Sequence, residues 1–308
     1  MTAVTVVSGR IDDLRLAIEQ AQIPNLACRY FSSPDQMDEQ ALQAEIAVGA
    51  PDVLAPALPH MPHLQWVQST WAGITPFLAS PRRDYQLTGV KAIFGASMSE
   101  YVLAWMLAFE RSVLAHASAH RWEWREERGL SSLRLGIAGT GSIGAAVAKR
   151  CAPFFAHIQG LNSDGRDVDG FARCFSMRDV QQFSQGLDAL VMILPDTPRT
   201  SGLIEASVLE RLNPGAVLIN TGRANSLNHE AMLAALNAGR LRAVVLDVLH
   251  QEPLPEDHPY WTTEGLYITS HTSAPTRMAA IVQVFRDNLL RYRSGEALQG
   301  LIDFERGY

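Results

Sequence analysis

The sequence has little cysteine, no block of basic residues and no long apolar run, and each absence excludes a class of protein. Its 308 residues include 3 cysteines and carry a net charge of −6. Cys28, Cys151 and Cys174 lie far apart and form no CxxC pair, which predicts reduced thiols in a cytoplasmic protein. Without a Lys/Arg block, we expect no nucleic-acid partner. Because the apolar run at 101–109 is too short for a bilayer and residues 1–10 lack the features of a signal peptide, we expect no membrane partner.

Short apolar runs that alternate with helical patterns dominate what the sequence does contain. A length of 308 residues suggests about two domains, and 47% hydrophobic with 19% charged residues is ordinary for a globular enzyme. The predicted strands are VTVV, LACRY, IAVG and LQWVQS in the first part of the chain, then LGIAG, HIQGL, LDALVMIL, AVLIN, AVVLDV and LYIT. This alternation predicts an α/β protein with two doubly wound parallel sheets, of the Rossmann-like or flavodoxin-like type.

Two long predicted helices, at 97–120 and 277–293, flank the second series of strands. They favour a discontinuous arrangement, in which residues 1–97 and 275–308 form a substrate-binding lid domain. Residues 98–274 would then form a dinucleotide-binding domain. We expect the active site in the cleft between the two domains, where closure would exclude water.

A glycine-rich turn, GTGSIG, follows the apolar run LGIA and precedes the helical pattern AAVAKRC. Gly139 permits the tight turn, Gly141 lets the backbone approach a pyrophosphate, and Gly144 lets helix and strand pack closely. The amides of Ser142 and Ile143 would point at phosphate from the start of a helix. A GxGxxG pattern alone is a weak signal, but the strand before it and the helix after it predict a dinucleotide site.

The residues after the next predicted strand, HIQGL, bear on which dinucleotide is bound. NAD sites usually place an acidic residue there to bind the ribose hydroxyls, but the equivalent position holds Asn162. An uncharged Asn162 does not repel a 2′-phosphate, and Ser163 and Arg166 can donate hydrogen bonds to one. The sequence therefore favours NADPH. NADH is the alternative, since Asp164 lies only two residues from the expected acidic position.

Three residues with compatible chemistry follow three other predicted strands. Arg223 follows AVLIN, Glu252 follows AVVLDV and His271 follows LYIT. Residues just beyond the carboxyl ends of parallel strands meet in one crevice. An arginine there can grip a carboxylate in a bidentate manner, a histidine can move a proton near neutral pH, and a glutamate can orient and charge that histidine. The set predicts hydride transfer to an anionic carbonyl substrate.

These segments together resemble the D-isomer-specific 2-hydroxyacid dehydrogenase family. The resemblance is carried by the glycine turn followed by INTGRANSLNHEAMLAAL, LDVLHQEPLPEDHPYW and ITSHTSAPT, and it covers most of residues 60–308. Within the family the chain is most similar to the glyoxylate/hydroxypyruvate reductase A branch, whose members end in a tail similar to DFERGY. The resemblance implies an NAD(P)-dependent reductase of small 2-oxo acids, with glyoxylate and hydroxypyruvate as favoured substrates, and a homodimer.

The resemblance also implies individual roles for the three strand-end residues. Arg223 would bind the carboxylate and carbonyl oxygen of the substrate. His271 would be the general acid that protonates that oxygen as hydride arrives, and Glu252 would hold His271 protonated. Because imidazolium is the proton donor, 2-oxo acid reduction is expected to slow as pH rises.

Further binding residues are implied for the cofactor and the substrate. Asp247 would bond the nicotinamide carboxamide. The expected cofactor-binding residues also include Leu194, Pro195 and Thr221. The loop Trp71-Ala72-Gly73 would bind the substrate carboxylate, with the amides of Ala72 and Gly73 forming a backbone nest.

Other functions remain open from the sequence. The main alternative is a non-catalytic NAD(H)-sensing protein on the same fold, similar to a corepressor, because fold does not fix function. A methyltransferase would leave the Arg–Glu–His set without a role. No metal site is predicted, since His116 and His120 share a helical spacing but lack a third ligand.

Overall fold

The computed structural model describes residues 1–90 and 92–307. Its strands are β1 (Thr2–Val7), β2 (Leu26–Phe31), β3 (Ile46–Gly49), β4 (Trp66–Ser69), β5 (Gln86–Thr88), β6 (Arg134–Ala138), β7 (His157–Asn162), β8 (Arg173–Ser176), β9 (Ala189–Met192), β10 (Ala216–Asn220), β11 (Leu241–Leu246) and β12 (Leu266–Ile268). Its α-helices are α1 (Ile11–Gln20), α2 (Glu39–Leu42), α3 (Pro51–Leu54), α4 (Thr75–Ala79), α5 (Gly95–Glu110), α6 (Val113–Ala117), α7 (Ser142–Cys151), α8 (Val180–Ser184), α9 (Ala206–Leu209), α10 (His229–Asn237) and α11 (Met278–Arg293). Short 3-10 turns connect several of these elements.

The chain divides into two compact units. Met1–Ile93 and Thr276–Tyr308 form the first, which we call the outer unit, and Phe94–Pro275 form the second, the central unit. Each unit contains one parallel sheet with helices packed on it, which confirms the predicted α/β fold class.

The outer unit contains a five-stranded sheet in the order β2-β1-β3-β4-β5, with all neighbouring strands parallel. Strands β3 and β4 are buried along their whole length, as expected for central strands covered on both faces. Helix α11 returns from the end of the chain and packs beside α1. There Trp66 stacks between Phe285 and Tyr292, each with ring centroids 5.6 Å away, so the carboxyl-terminal segment is part of this unit's core.

The central unit contains a seven-stranded parallel sheet in the order β12-β11-β10-β9-β6-β7-β8. The order runs outward in both directions from β6, which is the doubly wound arrangement of dinucleotide-binding folds. The last residues of β12, β11, β10 and β9 lie in one row, since Ile268 pairs with Leu246, Leu246 with Asn220, and Asn220 with Met192. Side chains that follow these strands therefore meet at one edge of the sheet.

Helix α5 differs from the predicted 97–120 helix at both ends. It begins at Gly95, where a side chain would collide with Ala146 of α7, so the glycine allows the two helices to pack closely. It ends at Glu110 because Ser112 adopts a left-handed conformation (φ 49°), and a separate helix, α6, follows. The apolar run 101–109 lies inside α5, and no helix in the described part of the chain is long and apolar enough to cross a membrane.

Two strands carry no clear apolar run and were not predicted. β5 holds only three residues, and β8 is an edge strand that begins with the exposed Arg173. Both are defined by pairing with a neighbour, β4 and β7 respectively, rather than by their own composition. Sequence periodicity cannot detect a strand of this kind.

Candidate active site

The glycine turn between β6 and α7 has the geometry that a dinucleotide site requires. Gly139 has φ 105°, and an added Cβ would lie 2.5 Å from the carbonyl oxygen of Ile193. A Cβ on Gly144 would overlap the carbonyl of Gly139. These two glycines are therefore required by the fold, because they bring the strand, the turn and the helix into close contact.

Gly141 has a different surrounding. It has an ordinary φ of −66°, and an added Cβ would meet no atom within 4 Å. The open space beside it lies at the start of α7, where Ser142 and Ile143 are the first helical residues and their amides have no partner within the helix. This combination fits a phosphate group that approaches the backbone at Gly141.

Asn162 is the last residue of β7, and its side-chain amide and oxygen both form hydrogen bonds within the protein. Its amide donates to the hydroxyl of Thr140 at 3.1 Å and to the carbonyl of Arg166 at 2.8 Å. Its oxygen accepts from the amides of Asp164 and Gly165 at 3.3 and 2.6 Å. Asn162 therefore shapes the loop and the glycine turn, and its amide faces protein groups.

One arginine lies beside Ser163, and another lies in the loop that follows Asn162. Arg166 pairs with Asp164 at 2.9 Å, and both side chains are exposed. Arg199, from the loop after β9, donates to the carbonyl of Ser163 at 3.2 Å. Sequence reasoning missed Arg199, because it lies in a different loop, 36 residues away in the chain. Ser163 thus lies beside one arginine, with a second arginine in the same loop, and a cation suits a phosphate better than a ribose diol.

Leu194, Pro195 and Thr221 lie where β9 and β10 end. A Cβ on Gly222 would lie 2.6 Å from the amide nitrogen of Leu194, so the two strand-end loops are in close contact. The Thr221 hydroxyl donates to the carbonyl of Met192 at 3.2 Å, and the Thr200 hydroxyl donates to the carbonyl of Pro195 at 2.7 Å. The structure thus brings these predicted cofactor residues together on the same side as the glycine turn.

Arg223 is partly buried just beyond β10. Its carbonyl accepts from Asn220 and Ser226, which holds the turn, while its guanidinium donates to the carbonyl of Gly222 at 2.6 Å. Burial lowers the pKa of Arg223, and the negative charges of Asp196 and Glu252 oppose this shift. Arginine remains a cation in proteins, so the site holds a positive charge near Glu252.

His271 and Glu252 form a direct pair. The Nδ1 atom of His271 lies 2.9 Å from Oε2 of Glu252, while Oε1 of Glu252 accepts from the amide of Leu249 at 2.8 Å. Both side chains are partly exposed, so they are open to a bound molecule. Because Nδ1 faces the carboxylate, Nε2 is the ring nitrogen that can donate a proton to a substrate.

Asp247 holds the turn that carries His271. The carbonyl of Asp247 accepts from the amide of His271 at 3.0 Å. Its buried carboxylate accepts from the Thr269 hydroxyl at 2.6 Å and from the amides of Thr272 and Ser273 at 2.7 and 3.1 Å. Thr269 in turn contacts the hydroxyl of Tyr101 at 2.7 Å. Asp247 therefore fixes the backbone on both sides of His271, where the conformation is left-handed (φ 54°).

A cluster of histidines lies near the Arg223 turn and was not singled out from the sequence. The ring centroids of His229 and His250 are 4.7 Å apart, and Nδ1 of His229 lies 3.0 Å from the Tyr260 hydroxyl. Burial, together with the neighbouring His250, lowers the pKa of His229 to about 4. His229 is therefore neutral near pH 7 and adds no positive charge beside Arg223.

The predicted substrate loop lies in the outer unit, directly after β4. Trp71 and Ala72 are exposed, and Gly73 is partly exposed. The hydroxyl of Ser69 holds the backbone of Trp71, donating to its carbonyl at 2.9 Å and accepting from its amide at 3.1 Å. The loop is therefore an ordered turn at the carboxyl edge of the outer sheet.

No group of three or more His, Cys, Asp or Glu side chains that could hold a metal ion occurs within residues 1–90 and 92–307. His116 lies instead 3.6 Å from Glu127, as an exposed pair. Independently of any metal, Arg223 is suited to binding an anion and the His271–Glu252 pair to transferring a proton.

A doubly wound parallel sheet with this glycine turn defines a dinucleotide-binding α/β protein, and comparison with known proteins identifies its kind. Residues 103–273 match the model of the D-isomer specific 2-hydroxyacid dehydrogenase, NAD binding domain. The chain is 32% identical to glyoxylate/hydroxypyruvate reductase A of Yersinia enterocolitica over 214 residues, which are 68% of each protein. The chain therefore belongs to the D-isomer specific 2-hydroxyacid dehydrogenase family, as the sequence predicted.

Solved structures agree over almost the whole chain. A D-isomer specific 2-hydroxyacid dehydrogenase family protein from Aeromonas salmonicida is 34% identical, with a TM-score of 0.89, covering 98% of this chain and 99% of that one. The NADPH-dependent glyoxylate/hydroxypyruvate reductase of Sinorhizobium meliloti, in complex with NADP and sulfate, is 26% identical, with a TM-score of 0.88 and full coverage of both chains. A family member from Xanthobacter autotrophicus, in complex with NADPH and MES, is 25% identical with a TM-score of 0.87, covering 100% of this chain and 99% of that one.

Substitution by alanine is expected to impair dinucleotide binding at Gly141 and folding stability at Gly144. Gly141→Ala should fold normally, because its Cβ enters open space, but should weaken dinucleotide binding about tenfold or more, a loss of about 1.4 kcal/mol. Gly144→Ala should lose about 1–3 kcal/mol of stability, because its Cβ overlaps a backbone carbonyl. Thermal unfolding and fluorescence titration with NADPH measure the two effects. Unchanged NADPH affinity in Gly141→Ala would show that the phosphates bind elsewhere.

Proposed function

We propose that this protein is an NAD(P)-dependent reductase that converts small 2-oxo acids, with glyoxylate and hydroxypyruvate favoured, into 2-hydroxy acids. The observation that carries the proposal is the His271–Glu252 pair, at 2.9 Å, on the same sheet edge as the partly buried Arg223. The names of the relatives, glyoxylate/hydroxypyruvate reductase A, support the substrate class.

Each of the three residues has a separate task in this reaction. When bound, the nicotinamide supplies a hydride to the carbonyl carbon of the substrate. His271 gives its Nε2 proton to the carbonyl oxygen, so that the ketone becomes an alcohol. Glu252 stabilises the imidazolium before the transfer. Arg223 binds the substrate carboxylate and stabilises the negative charge that develops on the carbonyl oxygen, and such electrostatic contributions are often the largest in catalysis.

The roles of the two units follow from where these residues lie. We assign dinucleotide binding to the central unit, through the glycine turn, the Ser163 loop, Leu194, Pro195 and Thr221. Asp247 is assigned to the nicotinamide carboxamide, as well as to the His271 turn, where its carboxylate accepts three hydrogen bonds. We assign the substrate domain to the outer unit, where the amides of Ala72 and Gly73 bind the carboxylate.

We propose NADPH as the preferred cofactor, with NADH as a weaker substitute. Arg199 donates to the carbonyl of Ser163, and Arg166 lies in the same loop, where it pairs with Asp164. No acidic side chain takes the place of Asn162 at the end of β7. Structures of family members bound to NADP or NADPH support this assignment. Asn162 acts indirectly, by shaping the loop that presents Ser163 and Arg166.

We also propose a cytoplasmic homodimer. All three cysteines are free, which suits a reducing compartment. The central unit exposes apolar side chains in α6 and in the segment that follows it, with Trp122 fully exposed and Trp124 81% exposed. Exposed tryptophans close together in the chain are typical of protein–protein contacts.

His271→Gln should lower kcat for glyoxylate reduction by about 10²–10⁴-fold, because the general acid is lost. Arg223→Gln should lower kcat/KM by about 10²–10³-fold, because the developing oxyanion loses its cation. Glu252→Gln should retain partial activity, because a side chain of the same shape can still contact Nδ1 of His271 but carries no negative charge. Absorbance at 340 nm, with NADPH and glyoxylate, measures all three.

His63→Gln is the matched control for these variants, since His63 is exposed in the outer unit and has no assigned role. It should retain wild-type rates. If the wild-type protein binds NADPH but oxidises none in the presence of glyoxylate, hydroxypyruvate or other 2-oxo acids, the NAD(H)-sensing alternative is favoured.

Arg166→Ala and Arg199→Ala should each raise the KM for NADPH about tenfold and leave the KM for NADH nearly unchanged, because only NADPH carries the 2′-phosphate. Arg173→Ala is the control, because Arg173 is an exposed arginine of the same unit that stacks on Phe175. It should leave the ratio of the two KM values unchanged. A wild-type preference for NADH would contradict the assignment.

The double variant Trp122→Glu with Trp124→Glu should sediment as a monomer at micromolar concentration, where the wild type sediments as a dimer. Charged side chains at these positions would prevent apolar contact between two copies. Trp261→Glu serves as the control, since Trp261 is half exposed elsewhere in the unit. A monomeric wild type in analytical ultracentrifugation would contradict the proposed dimer.

A further inference from the structure

We propose that Ser69, supported by Gln68 and Asn288, is a positioning residue that presents the amides of Ala72 and Gly73 to the substrate carboxylate. This inference rests on the proposed function, in which the loop after β4 binds that carboxylate. It concerns three polar side chains that the catalytic roles above do not use.

Ser69 ends β4 and is completely buried. One oxygen atom makes both contacts to Trp71: the hydroxyl donates to the Trp71 carbonyl at 2.9 Å and accepts from the Trp71 amide at 3.1 Å. A single side chain thus fixes both polar backbone groups of the first residue of the loop. Its removal would free the loop to change direction.

The bonding at Trp71 determines which amides of the loop remain available. The Trp71 amide is used within the protein, whereas in the described residues the amides of Ala72 and Gly73 donate to no protein group. Two neighbouring unused amides on an exposed turn form a small anion-binding nest. The anchored Trp71 sets the direction in which they point.

Gln68 fixes the other side of Ser69. It is 0% exposed, and its amide donates to the Ser69 carbonyl at 2.9 Å and lies within 3.3 and 3.4 Å of the carbonyls of Thr88 and Gly89. Its oxygen accepts from the Thr88 hydroxyl at 2.9 Å. The side chain of Gln68 therefore links the ends of β4 and β5 just below the loop.

Asn288 connects this network to helix α11. Its amide donates to the Gln68 oxygen at 3.3 Å and to the Gln299 carbonyl at 3.0 Å, and its oxygen accepts from the Gln299 amide at 2.8 Å. It is 1% exposed. The carboxyl-terminal segment thus supplies a buried support for the loop, in addition to apolar packing.

Burying polar side chains costs free energy unless they are hydrogen-bonded. Here they bond mainly to backbone groups at the ends of β4 and β5 and in the segment after α11. What they provide in return is a fixed direction, since hydrogen bonds are directional and apolar contacts are not. A fixed direction is required where amides must meet a carboxylate.

Ser69→Ala tests the inference with little change in volume. We expect the KM for glyoxylate to rise about tenfold, with kcat within about twofold and the KM for NADPH unchanged, because the cofactor residues lie in the central unit. Hydrogen–deuterium exchange of the peptide spanning residues 70–75 should become faster. Ser69→Cys, which keeps the volume but bonds weakly, should behave in the same way.

Thr5→Val is the matched control. Thr5 is buried in β1 of the same sheet, and its hydroxyl donates to Ala41 at 2.8 Å, away from the loop. It should change thermal stability as much as Ser69→Ala but leave the KM for glyoxylate and the exchange of residues 70–75 unchanged. An equal rise of KM in both variants, or unchanged exchange in Ser69→Ala, would overturn the inference.

Failure of the proposed function would be seen separately. If the wild type reduces no 2-oxo acid, the reductase assignment fails, and the exchange measurement still decides whether Ser69 orders the loop. If the wild type is active and Ser69→Ala retains both its KM and its slow exchange, the reductase assignment stands and the positioning role is wrong.

Discussion

The alignment of parallel strand ends is the constraint on which the rest of the central unit depends. Ile268, Leu246, Asn220, Met192 and Ala138 end neighbouring strands in one continuous register. Because parallel strands all point the same way, everything that follows them is delivered to one edge. The glycine turn, the arginine, the glutamate and the histidine are brought together by this alignment, although they are spread over more than a hundred residues of sequence.

The alignment brings these residues close together, and buried polar groups then fix the conformation of the turns that carry them. In the central unit, the carboxylate of Asp247 fixes the backbone around His271. In the outer unit, Gln68 and Ser69 fix the start of the loop after β4. The two arrangements share a principle: a side chain at the end of a strand uses its hydrogen bonds on the backbone of the turn that follows. In each case a buried side chain holds the backbone of a turn that carries exposed residues.

The sequence predicted the strands other than β5 and β8, including the edge strands β2 and β12, because each of them carries a mostly apolar run. It did not predict β5 or β8, whose strand character depends on a partner. It joined α5 and α6 into one helix, because the left-handed residue between them, Ser112, carries no turn signal. Errors of this kind arise where a neighbour, rather than local composition, decides the conformation.

The sequence by itself determined the fold class and the family and predicted the Arg–Glu–His set, because these depend on periodicity and on residue types at given spacings. Only the tertiary structure decided that Asn162 serves its own loop, that Arg199 lies beside Ser163, and that Asp247 and Ser69 hold the turns beside them. Each of these contacts depends on the direction of a hydrogen bond after folding. The direction of a hydrogen bond depends on how the chain packs in three dimensions. It therefore cannot be inferred from the residues that are neighbours in the sequence.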